Sequence, residues 1–264
     1  MSRITHAPLV ILGAGYTGRF IYRAARRRRR PVFATSRSPA THLTFAQPDH
    51  RLFFDLQQPE TWAHVPARSD IVWCFPALPQ DVAGAFAQHA IDRNSRLVLL
   101  GSTSAYRSGR PGLIDERVPV NRSIPRVASE EHLRTTFGAT VLRLSGLYGP
   151  GRHVFDWIRK GKIKNSQKYV NLIHVEDVAE LCLLALRYAS PGSTYIVSDG
   201  QPRSWGEICR FAAERFHIAV PPATATRETG KRLSPQKILT DLNYRLKHPD
   251  LFEALIELES ARSG

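Results

Sequence analysis

The chain has 264 residues, with 37 Lys and Arg against 23 Asp and Glu, a net charge of +14, and 42% apolar residues. That length supports a large buried core, and the apolar fraction is ordinary for a globular protein. No run of about eighteen apolar residues exists, so neither a membrane span nor a membrane partner is expected. Met1 to Gly13 lacks the layout of a secretory leader. Cys74, Cys182 and Cys209 are far apart and form no CxxC, which predicts buried thiols in a reducing cytoplasm and no metal-ligand set. The positive excess attracts anions. Its densest run, Arg26 to Arg30, has no interleaved aromatics, so it predicts a solvated helix C-terminus rather than a nucleic-acid surface.

Short apolar runs alternate with helical patterns along the chain. Leu9 to Leu12 predicts a buried strand, Thr17 to Arg29 a helix, and Pro31 to Ser36 a second strand. Strands follow at Arg51 to Phe54, Asp70 to Phe75 and Arg96 to Leu100, with a helix at Gln80 to Asp92. Pro125 to Phe137 is helical, Ala139 to Leu144 strand, Val175 to Tyr188 helix, Thr194 to Val197 strand and Ser204 to Phe216 helix. The tail from Ser234 predicts two short helices. This alternation predicts an α/β protein, a doubly wound parallel sheet with right-handed crossovers.

Gly13-Ala14-Gly15-Tyr16-Thr17-Gly18 matches G-x-G-x-x-G between a predicted strand and a predicted helix. Gly13 allows the tight turn, Gly15 the approach of a pyrophosphate, and Gly18 close helix–strand packing. The helix start, with Tyr16 and Thr17, offers N–H groups to the anion. At the end of the second strand stand Ser36, Arg37 and Ser38, with no acid. A carboxylate there would accept the ribose 2′-hydroxyl, whereas a guanidinium and hydroxyls suit a 2′-phosphate. NADP(H) is therefore expected over NAD(H). Asp55 and Leu56 fall where such folds meet the adenine, although Asp55 equally suits a cap for the residues from Gln57.

The chain resembles the extended and atypical short-chain dehydrogenase/reductases, the NAD-dependent epimerase/dehydratase superfamily, and within them the YeeZ-like subgroup. The resemblance rests on the glycine loop, Asp55-Leu56, Gly101 to Tyr106, Asp115-Glu116, Leu142 to Arg152, Ile173 to Ala179, and Lys231 to Ser234 followed by Asp241 to Tyr244. It implies one Rossmann-type domain over 1–264. The nucleotide core is expected at about 1–148 with a returning strand and helix at 170–190, and a small C-terminal substrate lobe at 149–169 and 194–264. It also implies Ser145 beside the cofactor, and a homodimer through the Gln80 to Asp92 and Pro125 to Phe137 helices.

The family uses a Ser or Thr to polarise the substrate oxygen and a Tyr-x-x-x-Lys pair to move the proton. Ser102 falls on the first position. Arg122 and Arg126 fall on the Tyr and Lys positions, and arginine does not exchange a proton at neutral pH. Arg126 remains available for a ribose or an anionic group. Tyr106, His174 and His153 are candidate acids, each with a plainer reading: packing for Tyr106, a structural hydrogen bond at a helix start for His174, an exposed loop residue for His153. Ser104, Arg152 and His174 are expected at the substrate, a small molecule with anionic character. Gly146 replaces the Asn that nucleotide-sugar members commonly carry there. Arg143 reads equally as packing or as an anion contact, and Lys160, Lys162, Lys164 and Lys168 as a solvated face or a substrate contact. The expected function is an NADP-dependent oxidoreductase or epimerase-like enzyme with an atypical site. The alternative is an NADP(H)-binding sensor without turnover.

Overall fold

A computed structural model describes residues 7–107, 112–224 and 229–263; the first six residues of the stretch read for a leader lie outside it. In chain order the first elements are β1 (Leu9–Leu12), α1 (Tyr16–Arg27), β2 (Val32–Ser36), α2 (Pro39–His42), β3 (Arg51–Phe53), β4 (Asp70–Trp73), α3 (Gln80–Asp92) and β5 (Arg96–Ser102). Next come β6 (Leu113–Ile114), α4 (Pro125–Phe137), β7 (Thr140–Leu144), β8 (Gly146–Tyr148), α5 (Val154–Arg159), β9 (Lys168–Val170), β10 (Leu172–His174) and α6 (Val175–Tyr188). The rest are β11 (Thr194–Val197), β12 (Arg203–Ser204), α7 (Trp205–Phe216), β13 (Thr229–Gly230), β14 (Arg232–Leu233), α8 (Gln236–Asp241) and α9 (Leu251–Ser263).

Seven strands form the main sheet in the order β11-β7-β5-β4-β1-β2-β3. β1 pairs in parallel with β2 on one side and β4 on the other, and β2–β3 and β4–β5 are also parallel. β1, β4 and β7 are buried along their whole length, as strands in a sheet covered on both faces are; the charged members, Asp70 in β4 and Arg143 in β7, are ion-paired. This is the expected doubly wound α/β fold. The strand order reverses between β1 and β4, and such a switch point opens a crevice beyond the carboxyl ends of the strands.

Helix bounds follow local chemistry. α4 begins with Pro125 in its first turn and ends at Gly138, which takes φ +68°, as the proline-first, glycine-last preference requires. α7 starts on a reciprocal cap, in which the Ser204 hydroxyl accepts from the Glu207 amide and the Glu207 carboxylate accepts from the Ser204 amide. The basic run after α1 is only partly solvated. Arg26, Arg27 and Arg29 are exposed. Arg28 pairs with Glu180, and Arg30 is buried against Asp70, which also binds Arg96 at 2.7 Å.

The chain divides into two compact units. The first comprises Met1–Ala105, Val120–Arg143 and Val178–Tyr195; the second comprises Tyr106–Pro119, Leu144–Asp177 and Ile196–Gly264. The first has a core around Trp62, Trp73, Phe86 and Leu99, and the second around Phe155, Ile208, Ala212 and Leu255. Among the described residues no helix is long and apolar enough to cross a membrane.

Candidate functional site

In the first unit a cleft of about 1160 Å³ lies at the switch point. It is lined by residues that follow β1 (Gly13 to Tyr16), β2 (Ser36 to Ser38), β3 (Asp55, Leu56) and β4 (Phe75, Leu78). The glycine loop forms its floor. Gly13 takes φ +70°, and a Cβ there would lie 2.5 Å from the Phe75 ring. Its amide donates to the Thr35 hydroxyl at 3.0 Å. Gly18 packs against β1, so a Cβ would meet Ile11 at 3.0 Å and Ala14 at 3.1 Å.

Gly15 differs from both. Its φ is −77°, outside the left-handed region, and nothing lies within 4 Å of where its Cβ would be. Packing does not require glycine there, and the open side leaves the backbone accessible from the cleft. Gly15 opens α1, whose first turn has no acid and no side-chain cap. Such a helix start faces an anion with N–H groups and the positive end of its dipole.

The rim at the end of β2 is cationic. Arg19 and Arg37 are exposed along the cleft, whose lining has one carboxylate, Asp55. Ser36 is oriented by its loop: its hydroxyl bonds His42 Nδ1 at 3.1 Å and accepts from the Ser38 amide at 3.0 Å. Asp55 lines the cleft, and its Oδ1 accepts from the Gln57 amide at 3.0 Å; it does not cap the helical turn that follows, Pro59–His64, whose N-cap is Gln58 without a side-chain bond.

Also in the first unit, β5 ends at Ser102, whose hydroxyl accepts from the Ser104 amide at 3.2 Å. Arg126 donates to the Ser104 hydroxyl at 3.1 Å and forms an ion pair with Glu130 one helical turn later. Glu130 lies against the backbone of β5, where a Cβ on Gly101 would sit 2.9 Å from its carboxylate. Arg143 is fully buried and ties Glu130 at 3.4 Å to Glu131 at 2.6 Å. Glu131 in turn accepts from Arg122 at 3.1 Å and Arg134 at 3.0 Å. Burial pushes the Glu130 carboxyl up despite Arg126 and Arg143. Burial acts on Glu131 too, but hydrogen bonds from Arg134 and Arg143 hold its carboxyl below the usual range. Both arginines at the Tyr and Lys positions are thus engaged with buried acids. Glu130 and Glu131 were not anticipated as site residues, although Arg126 and Glu130 have the i,i+4 spacing of a helical ion pair.

The second unit holds the remaining candidates. Tyr106 is buried, with 2% of its surface exposed. Ser145 is buried, and its hydroxyl has no partner among the described residues. Arg152 is exposed, as are Lys160, Lys162, Lys164 and Lys168. A Cβ on Gly146 would lie 2.6 Å from Leu172 Cδ2 and 3.2 Å from the Asn171 carbonyl, so an asparagine there requires the Leu172 side chain to move. His153 is not the exposed loop residue expected. It is buried, its Nδ1 caps α5 by accepting from the Phe155 amide at 3.1 Å, and burial pushes its pKa down. His174 makes the structural hydrogen bond its position suggested, with Nδ1 accepting from the Glu176 amide at 3.3 Å. Burial, with His248 and Lys247 nearby, lowers its pKa to about 3.

No family model matches the chain. Protein YeeZ of Escherichia coli K12 is 25% identical over 166 residues, 60% of each chain, so the match spans less than two thirds of that relative. A Methylobacillus flagellatus structure assigned provisionally to the NAD-dependent epimerase/dehydratases aligns with a TM-score of 0.80, 25% identity and 98% and 99% coverage of the two chains. The chain has the epimerase/dehydratase fold. The YeeZ similarity fits the YeeZ-like subgroup read from the motifs. At 12% identity the dTDP-glucose 4,6-dehydratase of Bacillus anthracis, solved with NAD, shares that fold with a TM-score of 0.77, covering 97% of each chain.

Proposed function

We propose that the chain is an NADP(H)-dependent oxidoreductase or epimerase-like enzyme for a small hydroxyl or carbonyl compound with an anionic group, working without a Tyr-x-x-x-Lys pair. The observation carrying this reading is Arg37, an exposed guanidinium between two serines at the end of β2, beside a glycine loop that leaves Gly15 open to the cleft. The residues present fit a dinucleotide. Gly13, Gly15 and the start of α1 would hold its pyrophosphate, Ser36, Arg37 and Ser38 its 2′-phosphate, and Asp55 and Leu56 its adenine end. NAD in the Bacillus anthracis relative supports the nicotinamide class; the absence of an acid at the end of β2 supports NADP(H).

When bound, the nicotinamide exchanges hydride with a substrate carbon. The chain's own part is to bind and orient. Ser102 donates to the reacting oxygen, stabilising charge as it develops there. Arg126, fixed by Glu130 and Ser104, presents positive charge to the substrate's anionic group. It does not carry the proton, for which Tyr106 is proposed. Ser145 is assigned to the cofactor, and Arg152 and His174 to the substrate. A cytoplasmic homodimer paired through α3 and α4 completes the proposal.

Replacing Arg37 with Glu tests the cofactor assignment. Loss of charge-assisted bonds worth about 1.5–3 kcal/mol weakens NADPH about tenfold to a hundredfold, with NADH little changed. Equal loss for both cofactors contradicts it. Engagement of Arg122 and Arg126 by buried acids favours one second reading, a cofactor-binding sensor without turnover. A panel of hydroxyl and carbonyl compounds, followed by absorbance at about 340 nm, a property of the reduced nicotinamide, separates the two. The enzyme reading requires turnover that falls in Ser102→Ala while cofactor affinity stays.

A further inference from the structure

Within the second unit, three potential ligands meet where β10 runs into α6. His174 ends β10, Glu176 lies in the first turn of α6, and His248 comes from the segment before α9. One donor atom from each falls within 4.8 Å of the others. The two imidazole rings are tilted by 41° to one another, with centroids 3.7 Å apart. His248 Nε2 is 3.6 Å from the Glu176 carboxylate. We propose that His174, Glu176 and His248 bind a divalent transition metal ion of the zinc class, with one coordination position left open.

The arrangement is braced from behind. Asp177 is fully buried and accepts three hydrogen bonds: from the Tyr244 hydroxyl at 2.7 Å, the Lys247 amide at 2.7 Å and the His248 amide at 3.1 Å. They pin the 244–248 segment and hold His248 over His174. The far nitrogen of His248, Nδ1, faces the Glu257 carboxylate at 4.0 Å. Tyr148 packs edge-on against His174, with ring centroids 5.2 Å apart, and fixes that ring too.

Two carboxylates, Glu176 and Glu257, face the His248 ring, with Lys247 the cation nearest His174. Two imidazoles and one carboxylate form a known zinc donor set, with bonds of about 2.0–2.2 Å. The partly exposed Glu176 side chain has the freedom to close the remaining gap. Binding through His174 Nε2 displaces the 3.3 Å contact from the Glu176 amide to Nδ1, the weakest hydrogen bond in the cluster. The site takes as a metal ligand His174, which the proposed function places at the substrate, but metal binding by these three residues is measured without any dinucleotide.

The test uses the untagged full chain, stripped with chelator and titrated separately with Zn²⁺ by calorimetry and with Co²⁺ by visible absorption. One ion per chain is expected. Glu176→Gln and His248→Gln each weaken binding about tenfold or more, with unchanged circular dichroism, while His64→Ala, at an exposed histidine elsewhere, leaves it intact. Absence of binding at several hundred micromolar metal overturns the proposal, as does affinity that survives both ligand substitutions.

Discussion

Gly13 and Gly15 separate what the fold needs from what a ligand needs. Gly13 takes φ +70° and abuts Phe75, so Gly13→Ala combines backbone strain of about 1–2 kcal/mol with a steric clash. Its melting temperature should fall by several degrees. Gly15→Val meets open space at a φ outside the left-handed region, so its melting temperature should fall less than that of Gly13→Ala, and an equal fall in both variants contradicts this division. Asp199 makes a prediction about pH. It is 7% exposed, and burial raises its carboxyl to about 7, against about 3.9 in an unfolded chain. The folded state therefore holds a proton that the unfolded state has released. This contribution is complete below about pH 4 and is lost as pH rises through about 7. Denaturant unfolding at pH 5 and pH 8 checks it: the difference in stability should shrink in Asp199→Asn, and an unchanged difference contradicts the assignment.

At the scale of elements, the ion-pair network of α4 and β7 stands out. Arg143 is fully buried, and Glu131 binds it together with Arg134 and Arg122. Removing Glu131 strips the buried Arg143 of its closer partner and leaves it Glu130 at 3.4 Å; breaking a buried pair costs about 3–5 kcal/mol. Glu131→Ala should lose stability on that scale by urea unfolding, and Arg122→Ala, at the exposed end of the network, less than about 1 kcal/mol. Equal losses would refute the burial argument. The bounds of α3, α4, α6 and β11 agree with the sequence reading, and those of α4 have clear end signals in Pro125 and Gly138. The strands β6, β9, β12, β13 and β14 have two or three residues each, too few for any period to register. His153 was misplaced for a related reason: next to a glycine-rich turn it reads as loop, but the six-residue α5 and Glu259, 3.3 Å away, bury it.

At the scale of the molecule, alternating strands and helices with one glycine loop gave the sheet and the location of the cleft, because the switch-point rule places such a loop at the carboxyl ends of the strands. The basic balance also had a readable origin, although part of it is internal: Arg30 and Arg143 neutralise buried acids rather than face solvent. Groupings assembled from distant segments were not legible. His248 lies 72 residues beyond Glu176 (248 − 176), and only the pinning of its segment by Asp177 brings it to His174. The account rests on a dinucleotide lying against the start of α1. Calorimetric titration of NADPH into the wild type and Gly15→Val measures this directly. The account predicts one equivalent bound by the wild type and none by a folded Gly15→Val. Equal binding by both proteins, or no heat from the wild type with either NADPH or NADH, would contradict it.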